Sequence, residues 1–383
     1  MRILHLSHEA LPDWRIEKSA ISASNRGHEV IFAGSKTSPF YKRKVFSKIF
    51  EVNWTAKARY GIPYYWNSVK KQVESILKES RPDIIHAHNI FSAKMIKEFN
   101  MPFIYDDHEY WSKHSQLLIE IEKYTEVDSN RTSINKLFQI PIRIRRRIIN
   151  GRIIQLWTKW EKEIVGSNPT ITVSNKIADD LGKINSFKND IFVVPNFPMK
   201  HETESFETPK LYDRLSSVYA GSDGHNITKL PNRNIDGLPE LFDNQDLGEL
   251  FIIGWEGKST SKVNYIGFLD RNLMFKEMSK HSIGLLPWKR HWSHEFTSPN
   301  KAYEYAHSGL IVILTSSFKP VIEILGKNCV TFDGHKDLIS KIEYLKENMN
   351  ELYKKRIDIF NYARSNLLWE NNENNIFEAY KRC

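Results

Sequence analysis

Short apolar runs alternate with amphipathic segments along the first half of the chain. Runs of this length are typical of strands buried on both faces, and the segments between them have helical periodicity. Such alternation predicts a parallel sheet covered by helices. The predicted strands are 3–6, 28–34, 84–87, 102–106, 171–173 and 191–194, and the predicted helices are 15–25, 66–80 and 92–98.

The same alternation returns in the second half, with strands predicted at 217–220, 250–254, 265–267, 283–286, 310–314 and 330–332. A charged helical tail follows from Lys336. Residues 199–210 are polar and acidic and include Pro209, so they predict a linker. The fold class is therefore α/β, with two doubly wound domains at 1–198 and 211–364. A length of 383 residues with 40% hydrophobic positions suits two cores.

Histidines follow three predicted strands of the first domain, at His8, at His88 and in the run Asp107-His108-Glu109. Ligands of doubly wound sheets lie beyond the carboxyl ends of the strands. These positions are therefore candidate site residues, with His108 and Glu109 as the candidate catalytic residues. A buried histidine that bonds to backbone is the alternative for His108.

Residues 295–309 predict a loop that turns into a helix. Ser298 suits the N-cap, Pro299 the first helical position and Gly309 the end. The N–H groups of a helix start attract phosphate, Lys301 adds positive charge, and the carboxylate of Glu304 can accept bonds from a ribose diol. The stretch predicts a cradle for a nucleoside diphosphate. The alternative is an ordinary helix with an exposed lysine and glutamate.

A second phosphate-binding candidate follows the predicted strand 217–220. Gly221-Ser222-Asp223-Gly224 lets backbone approach a ligand, and Lys229 and Arg233 lie just beyond. Any tight turn uses such residues, and the two cations are also typical of ordinary surface charge.

Several classes of protein are disfavoured. The sequence has neither the P-loop pattern nor Gly-x-Gly-x-x-Gly after the first strand, and it has no Asp-x-Asp pair and no zinc spacing. We therefore expect no metal and no cofactor. The two cysteines, Cys329 and Cys383, suit a reducing compartment, and no signal peptide or membrane span is evident. These features predict a cytoplasmic protein.

Positive charge is concentrated in 143–164. Its apolar stripe is Ile149, Ile153, Leu156, Trp160 and Ile164, and its cations are Arg143, Arg145, Arg146, Arg147, Arg152 and Lys159. This pattern predicts a long helix whose stripe packs on the sheet. The arginines are either a solvated face or a surface that rests on anionic lipid. A net charge of +9 is compatible with both, and no motif for nucleic-acid recognition accompanies it.

Eight stretches in order resemble family 4 nucleotide-sugar glycosyltransferases of the GT-B fold. They are Asp13-Trp14-Arg15-Ile16-Glu17-Lys18 with Gly27-His28-Glu29-Val30, Arg81-Pro82-Asp83-Ile84-Ile85-His86-Ala87-His88, Tyr105-Asp106-Asp107-His108-Glu109, Ile171-Thr172-Val173-Ser174, Val193-Val194-Pro195-Asn196, Val263-Asn264-Tyr265-Ile266-Gly267, Gly284-Leu285-Leu286-Pro287 and Ser298-Pro299-Asn300-Lys301-Ala302-Tyr303-Glu304-Tyr305. The resemblance implies two Rossmann-like domains facing a central cleft, with the terminal helix, 365–383, returning to the first domain.

The resemblance also implies roles for individual residues. Ser298, Asn300 and Lys301 match the version of the donor-binding motif that carries Ser-Pro-Asn-Lys, and Glu304 matches the glutamate that grips the ribose. The first glutamate of that motif falls at position 296, which is Phe296.

In the first domain, His108 matches the histidine that faces the donor sugar. Lys229 and Arg233 are the candidate diphosphate pair, beside Gly221. The loop 8–14 lacks the paired glycines of many relatives, which leaves acceptor recognition open, and His8 is the candidate acceptor residue.

These observations predict a retaining, metal-independent glycosyltransferase that moves a sugar from a nucleoside diphosphate sugar to a hydroxyl of a saccharide or lipid-linked acceptor. Retention of configuration is implied by the resemblance alone. Two alternatives stay open. One is a nucleotide-sugar epimerase or hydrolase of the same fold, and the other is a non-catalytic binding subunit, suggested by Phe296.

Overall fold

The chain folds into two compact units in a computed structural model. The structure describes residues 1–39, 41, 44–121, 136–184, 190–204, 206–221, 230–235 and 237–383, with backbone alone in 136–143. Of these, the first unit contains 1–119, 136–184, 190–195 and 372–383, and the second contains 120–121 and the described residues of 196–371.

The first unit is built on a seven-stranded parallel sheet of order β3-β2-β1-β4-β5-β6-β7. The strands are β1 (Arg2–Leu6), β2 (Glu29–Gly34), β3 (Lys48–Glu51), β4 (Ile84–His88), β5 (Phe103–Asp107), β6 (Thr170–Thr172) and β7 (Ile191–Val193). The predicted strands are confirmed with small shifts at their ends. The sequence did not predict β3, because this edge strand is largely exposed and has no buried apolar run.

Helices of the first unit cover this sheet. They are Trp14–Asn25, Ala56–Arg59, Pro63–Ser80, Asn89–Lys97, Trp111–His114, Lys136–Val165, Asn175–Gly182 and Asn374–Tyr380. The first begins where the Asp13 carboxylate accepts bonds from the backbone N–H groups of Arg15 and Ile16, which satisfies two donors of the first turn. This cap places Arg15 in the first turn, with its side chain buried.

The long basic helix differs from its prediction in one respect. Ile153, Trp160 and Ile164 are buried as the stripe predicts, but Ile149 is 39% exposed, so the prediction that it packs on the sheet is wrong. Phe91 and Trp111, on two neighbouring helices, pack against the long helix at Trp157, well beyond Ile149. Within the described residues, no helix is long and apolar enough to cross a membrane.

The second unit has a six-stranded parallel sheet of order β10-β9-β8-β11-β12-β13. Its strands are β8 (Ser216–Ala220), β9 (Glu249–Ile253), β10 (Val263–Gly267), β11 (Ile283–Leu286), β12 (Ile311–Thr315) and β13 (Cys329–Phe332). Its α-helices are Lys200–Thr203, Leu238–Asn244, Arg271–Met278, Asn300–His307, Lys319–Leu325, His335–Glu347 and Met349–Asn366. Each unit is thus a doubly wound α/β unit, as predicted.

The Asn300–His307 helix is fixed to the sheet through Tyr305. A Cβ atom at Gly284 in β11 would lie 2.4 Å from the Tyr305 ring, so only glycine allows the ring to lie there. The Tyr305 hydroxyl accepts a bond of 2.8 Å from the Ala220 N–H at the end of β8. This packing sets the first turns of the helix beside the carboxyl end of β8.

Residues 372–383 belong with the first unit, whereas 365–371, the start of the predicted terminal helix, belong with the second unit. The Ser22 hydroxyl donates to Glu373 at 2.6 Å, and the Asn375 amide donates to the Val193 carbonyl at 2.9 Å. The terminal helix therefore completes the side of the first sheet that carries β6 and β7.

Candidate functional site

Lys301 and Gly221 meet in the second unit. The Lys301 Nζ lies 4.6 Å from the ring centre of Tyr219 and 5.0 Å from that of Trp288. A Cβ atom at Gly221 would lie 3.0 Å from the same Nζ and 2.9 Å from the Tyr219 hydroxyl. Trp288 donates its indole N–H to that hydroxyl at 3.1 Å, so the two rings are fixed. Gly221 and Lys301, each predicted to bind phosphate, are thus brought together at the end of β8.

Arg233 lies near the same indole. It ends the 3₁₀ turn Pro231–Arg233, and its guanidinium carbon is 5.7 Å from the ring centre of Trp288. Two cations beside one ring, next to a glycine at a strand end, form a site suited to a diphosphate. Lys229, the other predicted member of this pair, lies outside the described residues, as do 222–228.

His294 fixes the turn that carries Arg233. Burial lowers the pKa of His294 to about 4, so the ring is neutral. Its Nε2 lies 2.6 Å from the Asn232 carbonyl and must donate, and its Nδ1 accepts from the Ser317 hydroxyl at 2.8 Å. The ring also stacks on Phe318 at 4.2 Å. The sequence analysis missed His294, whose role depends on partners distant in sequence.

Glu304, the predicted ribose ligand, is mostly buried and ion-paired. Arg271 donates from Nη1 to Glu304 Oε1 at 2.7 Å and from Nε to Glu202 Oε1 at 2.7 Å. Arg271 thus joins the helix start at Arg271–Met278, the helix at Lys200–Thr203 and the predicted ribose ligand. Nothing in the local sequence around Arg271 indicates the two carboxylates that it meets, so this role could not be predicted.

Ser298 and Asn300 take different places from those predicted. The helix begins at Asn300, its N-cap is Pro299, and no side chain caps it. The prediction that Ser298 is the N-cap is wrong, because its hydroxyl bonds to the Tyr303 hydroxyl instead. Asn300 is exposed at the first helical position, and Phe296 ends the preceding 3₁₀ turn, Trp292–Phe296.

His108 belongs to a buried array of polar side chains in the first unit, centred on Asp106. Arg15 contacts both Asp106 oxygens, at 2.6 Å from Nη2 to Oδ1 and at 3.1 Å from Nε to Oδ2. Burial alone would raise the pKa of Asp106, but the Arg15 guanidinium holds it well below its usual range. Asp106 is therefore an ionised carboxylate in the interior.

Four histidines surround this carboxylate, each within hydrogen-bond reach of another member of the array. His86 Nε2 lies 3.1 Å from Asp106 Oδ2, His88 Nδ1 lies 3.1 Å from His108 Nε2, and His88 Nε2 lies 3.0 Å from His5 Nδ1. The array ends at His108, which is 11% exposed, whereas His5, His86 and His88 are fully buried. The sequence predicted histidines at strand ends, and missed His5 and His86 because they lie within strands.

Two triads in this array bring nitrogen and oxygen atoms within 4.8 Å of one another, namely His5 with His86 and His88, and His88 with Asp106 and His108. In both, most ring nitrogens already lie within hydrogen-bond distance of one another, of Asp106 or of the Tyr380 hydroxyl. The Arg15 guanidinium lies on the same carboxylate and would repel a cation there. The donor set therefore fits a hydrogen-bonded array better than a metal centre.

Glu109 and His8 lie beside the array without bonding to it. Glu109 contacts His114 Nδ1 at 3.0 Å and is 45% exposed. His8 is buried against Phe91, and its Nε2 lies 2.9 Å from Glu9 Oε1. The contact with His8 lowers the pKa of Glu9, which the sequence analysis had not considered.

Comparison with known proteins agrees with this architecture. Residues 20–197 match the family model described as Glycosyltransferase Family 4. No curated protein sequence matches the chain. The chain carries a family 4 glycosyltransferase domain.

Solved structures similar to this glycosyltransferase share its fold at low identity. Sucrose-phosphate synthase from Thermosynechococcus elongatus has a TM-score of 0.70 at 11% identity, with 100% of this chain and 98% of that chain covered. HepE from Anabaena in complex with UDP has a TM-score of 0.67 at 12% identity, with both chains fully covered at 100%. A glycosyltransferase from Rickettsia africae has a TM-score of 0.61 at 14% identity, with 99% and 97% covered. These structures confirm the predicted GT-B fold, and the family match over 20–197 confirms the predicted glycosyltransferase class.

Proposed function

We propose that this glycosyltransferase moves a sugar from a nucleoside diphosphate sugar to a hydroxyl group, with retention of configuration and without a metal ion. The observation that carries the proposal is the group formed by Gly221, Lys301 and Arg233 around Trp288, with Glu304 one turn further along the Asn300–His307 helix. Two cations, with a glycine that lets a ligand approach the backbone closely, suit a diphosphate. A carboxylate one helical turn further along suits a ribose diol.

The chemistry follows from where charge develops. As the bond between sugar and diphosphate breaks, the leaving diphosphate gains negative charge. Cations already held in place stabilise that charge without reorganisation, which is the largest catalytic contribution in many enzymes. Lys301 and Arg233 would supply it here, and the neutral His294 beside them adds no competing charge. Lys229 is proposed as a further member of this group.

In the first unit, His108 is proposed to contact the transferred sugar, because it is the member of the buried array that reaches solvent. Glu109 is exposed and accessible to a substrate, and His8 with Glu9 is proposed to bind the acceptor. Retention of configuration is proposed from the family 4 domain rather than from these distances.

The nucleotide is proposed to be uridine diphosphate. Structures of the similar HepE contain UDP, UDP-glucose, and UDP with glucose. In this chain the proposal rests on that similarity together with the diphosphate group described above, and the identity of the sugar is left to experiment.

The acceptor is proposed to be a saccharide or a lipid-linked saccharide at an anionic membrane surface. Three adjacent arginines, Arg145, Arg146 and Arg147, are exposed on the long helix, and Ile144 and Ile148 beside them are 55% and 58% exposed. Cations next to exposed apolar side chains suit a lipid surface, where both kinds of contact stabilise binding.

The test combines binding with product analysis. Calorimetry with UDP, GDP, ADP and their common sugars would show which nucleotide binds, and incubation of that donor with saccharide acceptors would show transfer. We expect UDP to bind and the anomeric configuration to be retained in the product. Release of free sugar or an epimer without acceptor would instead indicate a hydrolase or epimerase, and absence of any nucleotide binding would indicate a non-catalytic subunit.

A further inference from the structure

The hydrogen-bond partners in the buried array show which ring nitrogens carry a proton, starting from Asp106. Asp106 is ionised and can only accept, so His86 Nε2 must donate to it across 3.1 Å. Burial lowers the pKa of His86, which makes the ring neutral, so its Nδ1 must accept. The Tyr380 hydroxyl lies 2.8 Å from that Nδ1 and supplies the donor. Both protons of this branch are thereby assigned.

The second branch runs from His5 through His88 to His108. Burial, with the neighbouring rings, lowers the pKa of His5 and of His88 well below its ordinary value, so both rings are neutral. Each neutral ring has one donor nitrogen and one acceptor nitrogen. His5 and His88 share one proton across 3.0 Å, and His88 and His108 share one across 3.1 Å. The two protons must therefore point the same way along the branch.

The unpaired ring nitrogen of His5 decides in which direction the hydrogen bonds of this branch are donated. His5 Nε2 is buried and has no hydrogen-bond partner among the described residues. If the branch ran from His108 inward, this atom would be an N–H without an acceptor, and buried N–H groups without partners are rarer than acceptors without donors. If each ring donates toward His108, His5 Nε2 is instead unprotonated and carries only an unpaired acceptor lone pair. His5 Nδ1 then donates to His88 Nε2, and His88 Nδ1 donates to His108 Nε2.

An alternative partner for His108 is Asp106 itself, and distance argues against it. His108 Nε2 lies 3.4 Å from Asp106 Oδ2, beyond the ordinary range for N–H···O bonds, and 3.1 Å from His88 Nδ1. Asp106 Oδ2 already accepts from His86 Nε2 and Arg15 Nε, each at 3.1 Å.

We propose that His88, backed by His5, is a positioning residue that holds neutral His108 in its Nδ1–H tautomer, so that His108 offers a hydrogen-bond donor to an oxygen of the sugar substrate. The role toward the sugar rests on the function proposed above, whereas the tautomer does not. Because His108 Nε2 accepts the hydrogen bond from His88 Nδ1, the other ring nitrogen of His108, Nδ1, is the one available to a ligand. A donor there binds a hydroxyl or glycosidic oxygen and cannot act as a base until the whole branch reverses.

The tautomer can be measured without substrate. Two-bond ¹H–¹⁵N spectra of histidine-labelled protein distinguish protonated from bare ring nitrogens, and the His108 signals are assigned by their loss in His108→Gln. We expect a protonated Nδ1 and a bare Nε2 in the neutral His108 ring of the wild-type protein. A protonated Nε2 with a bare Nδ1 in that neutral ring would overturn the proposal.

Two matched variants separate positioning from packing. An asparagine amide occupies the position of a histidine Nδ1, so His88→Asn keeps a donor to His108, whereas a glutamine amide occupies the position of Nε2, so His88→Gln keeps only the bond to His5. We expect His88→Asn to retain the His108 tautomer with turnover within about threefold of wild type. His88→Gln should lose the tautomer and about tenfold in turnover, with unchanged UDP affinity in both.

Equal turnover and an equal tautomer in the two variants would show that His88 acts only by filling space. If the wild-type protein does not bind UDP, the proposed function is refuted. The tautomer of His108 is tested separately, by the spectra.

Discussion

Arg271 Nη1 lies 2.7 Å from Glu304 Oε1, so the carboxylate predicted to bind ribose already holds a cation. The pair is buried, and Arg271 also holds Glu202. Arg271 therefore fixes the Glu304 side chain before any ligand arrives, and Oε2 is the oxygen that remains for a diol. A ligand that binds there gains a preorganised acceptor at little cost in side-chain entropy.

Replacement of Glu304 by glutamine should weaken UDP binding and leave the fold intact. A carboxylate that accepts from a diol contributes about 1.5–3 kcal/mol, so the dissociation constant should rise roughly ten- to a hundredfold in calorimetry. Glu202→Gln is the matched control, because it breaks the other half of the Arg271 pair. Equal losses in the two variants would assign Glu304 to stability alone.

Lys301→Ala and Arg233→Ala should each reduce affinity for UDP more than for uridine, since both cations are proposed to meet the diphosphate. A charge-assisted bond contributes about 1.5–3 kcal/mol, and we expect at least a tenfold difference between the two ligands. Lys289, exposed next to Trp288, provides the control Lys289→Ala. Lys229→Ala tests the predicted cation outside the described residues. If UDP and uridine weaken in parallel, the diphosphate site lies elsewhere.

His108→Ala should lower turnover more than UDP affinity, because the residue is proposed to act on the sugar rather than on the nucleotide. A positioned polar group of this kind contributes roughly tenfold or more to the rate. His114→Ala, at a histidine that is 39% exposed, is the control. Normal turnover of His108→Ala with the true donor and acceptor would make His108 a structural residue.

Anionic vesicles should bind the enzyme, and binding should fall with salt. Each basic residue near such a surface contributes about 1 kcal/mol, screened over about 8–10 Å. Replacement of Arg143, Arg145, Arg146 and Arg147 by glutamine should abolish sedimentation with the vesicles. A control with the same charge change replaces four exposed lysines elsewhere, namely Lys44, Lys71, Lys78 and Lys183. If the wild-type enzyme ignores anionic vesicles at low salt, a soluble acceptor is favoured.

Stability should depend on pH through Glu161. Burial raises the pKa of Glu161 to about 7, and burial with the nearby Glu161 also raises the pKa of Asp107. A carboxyl group whose pKa is raised by folding stabilises the folded state most below about pH 4.5, and this contribution is lost as the pH rises through about 7. Neutral Glu161→Gln removes the loss, so at pH 8 it should unfold at a higher temperature than the wild type.

The gain should amount to a few kcal/mol at most and should shrink toward zero at pH 5, when melting temperatures of the two proteins are compared across that range. The comparison isolates Glu161 because the other titrating groups are common to both proteins. A constant difference between the two proteins at every pH would show that the substitution acts through packing.

Local patterns were sufficient to predict most of the strands, since apolar runs such as those of β4 and β12 are buried on both faces. They also predicted that Lys301 and Gly221 each lie in a phosphate-binding site, at a helix start and at a strand end, but they did not predict that the two residues meet. Edge strand β3 was not predicted, and Ile149 was wrongly predicted to be buried. At both places the burial of a side chain depends on which elements pack beside it in the folded chain rather than on the local pattern.

The partners of individual polar atoms could not be predicted. Arg271 chooses between many carboxylates, and only the folded chain shows that it takes Glu202 and Glu304. The array around Asp106 draws on residues from Arg15 to Tyr380, and no spacing rule connects positions that far apart. Sequence patterns constrain elements and edges, whereas hydrogen-bond pairing is a property of the assembled core.

The bond between Tyr380 and His86 has a consequence for synthesis on the ribosome. Domains often fold as they emerge, the first one before the second is made. Here the first unit lacks the hydroxyl that satisfies His86 Nδ1 until residues 372–383 have left the exit tunnel. The second unit is complete in sequence earlier. In the nascent first unit, the buried Nδ1 of His86 therefore stays without its hydrogen-bond donor until synthesis is complete. A chain that ends before Tyr380 should be cleaved by proteases more readily in its first unit than in its second.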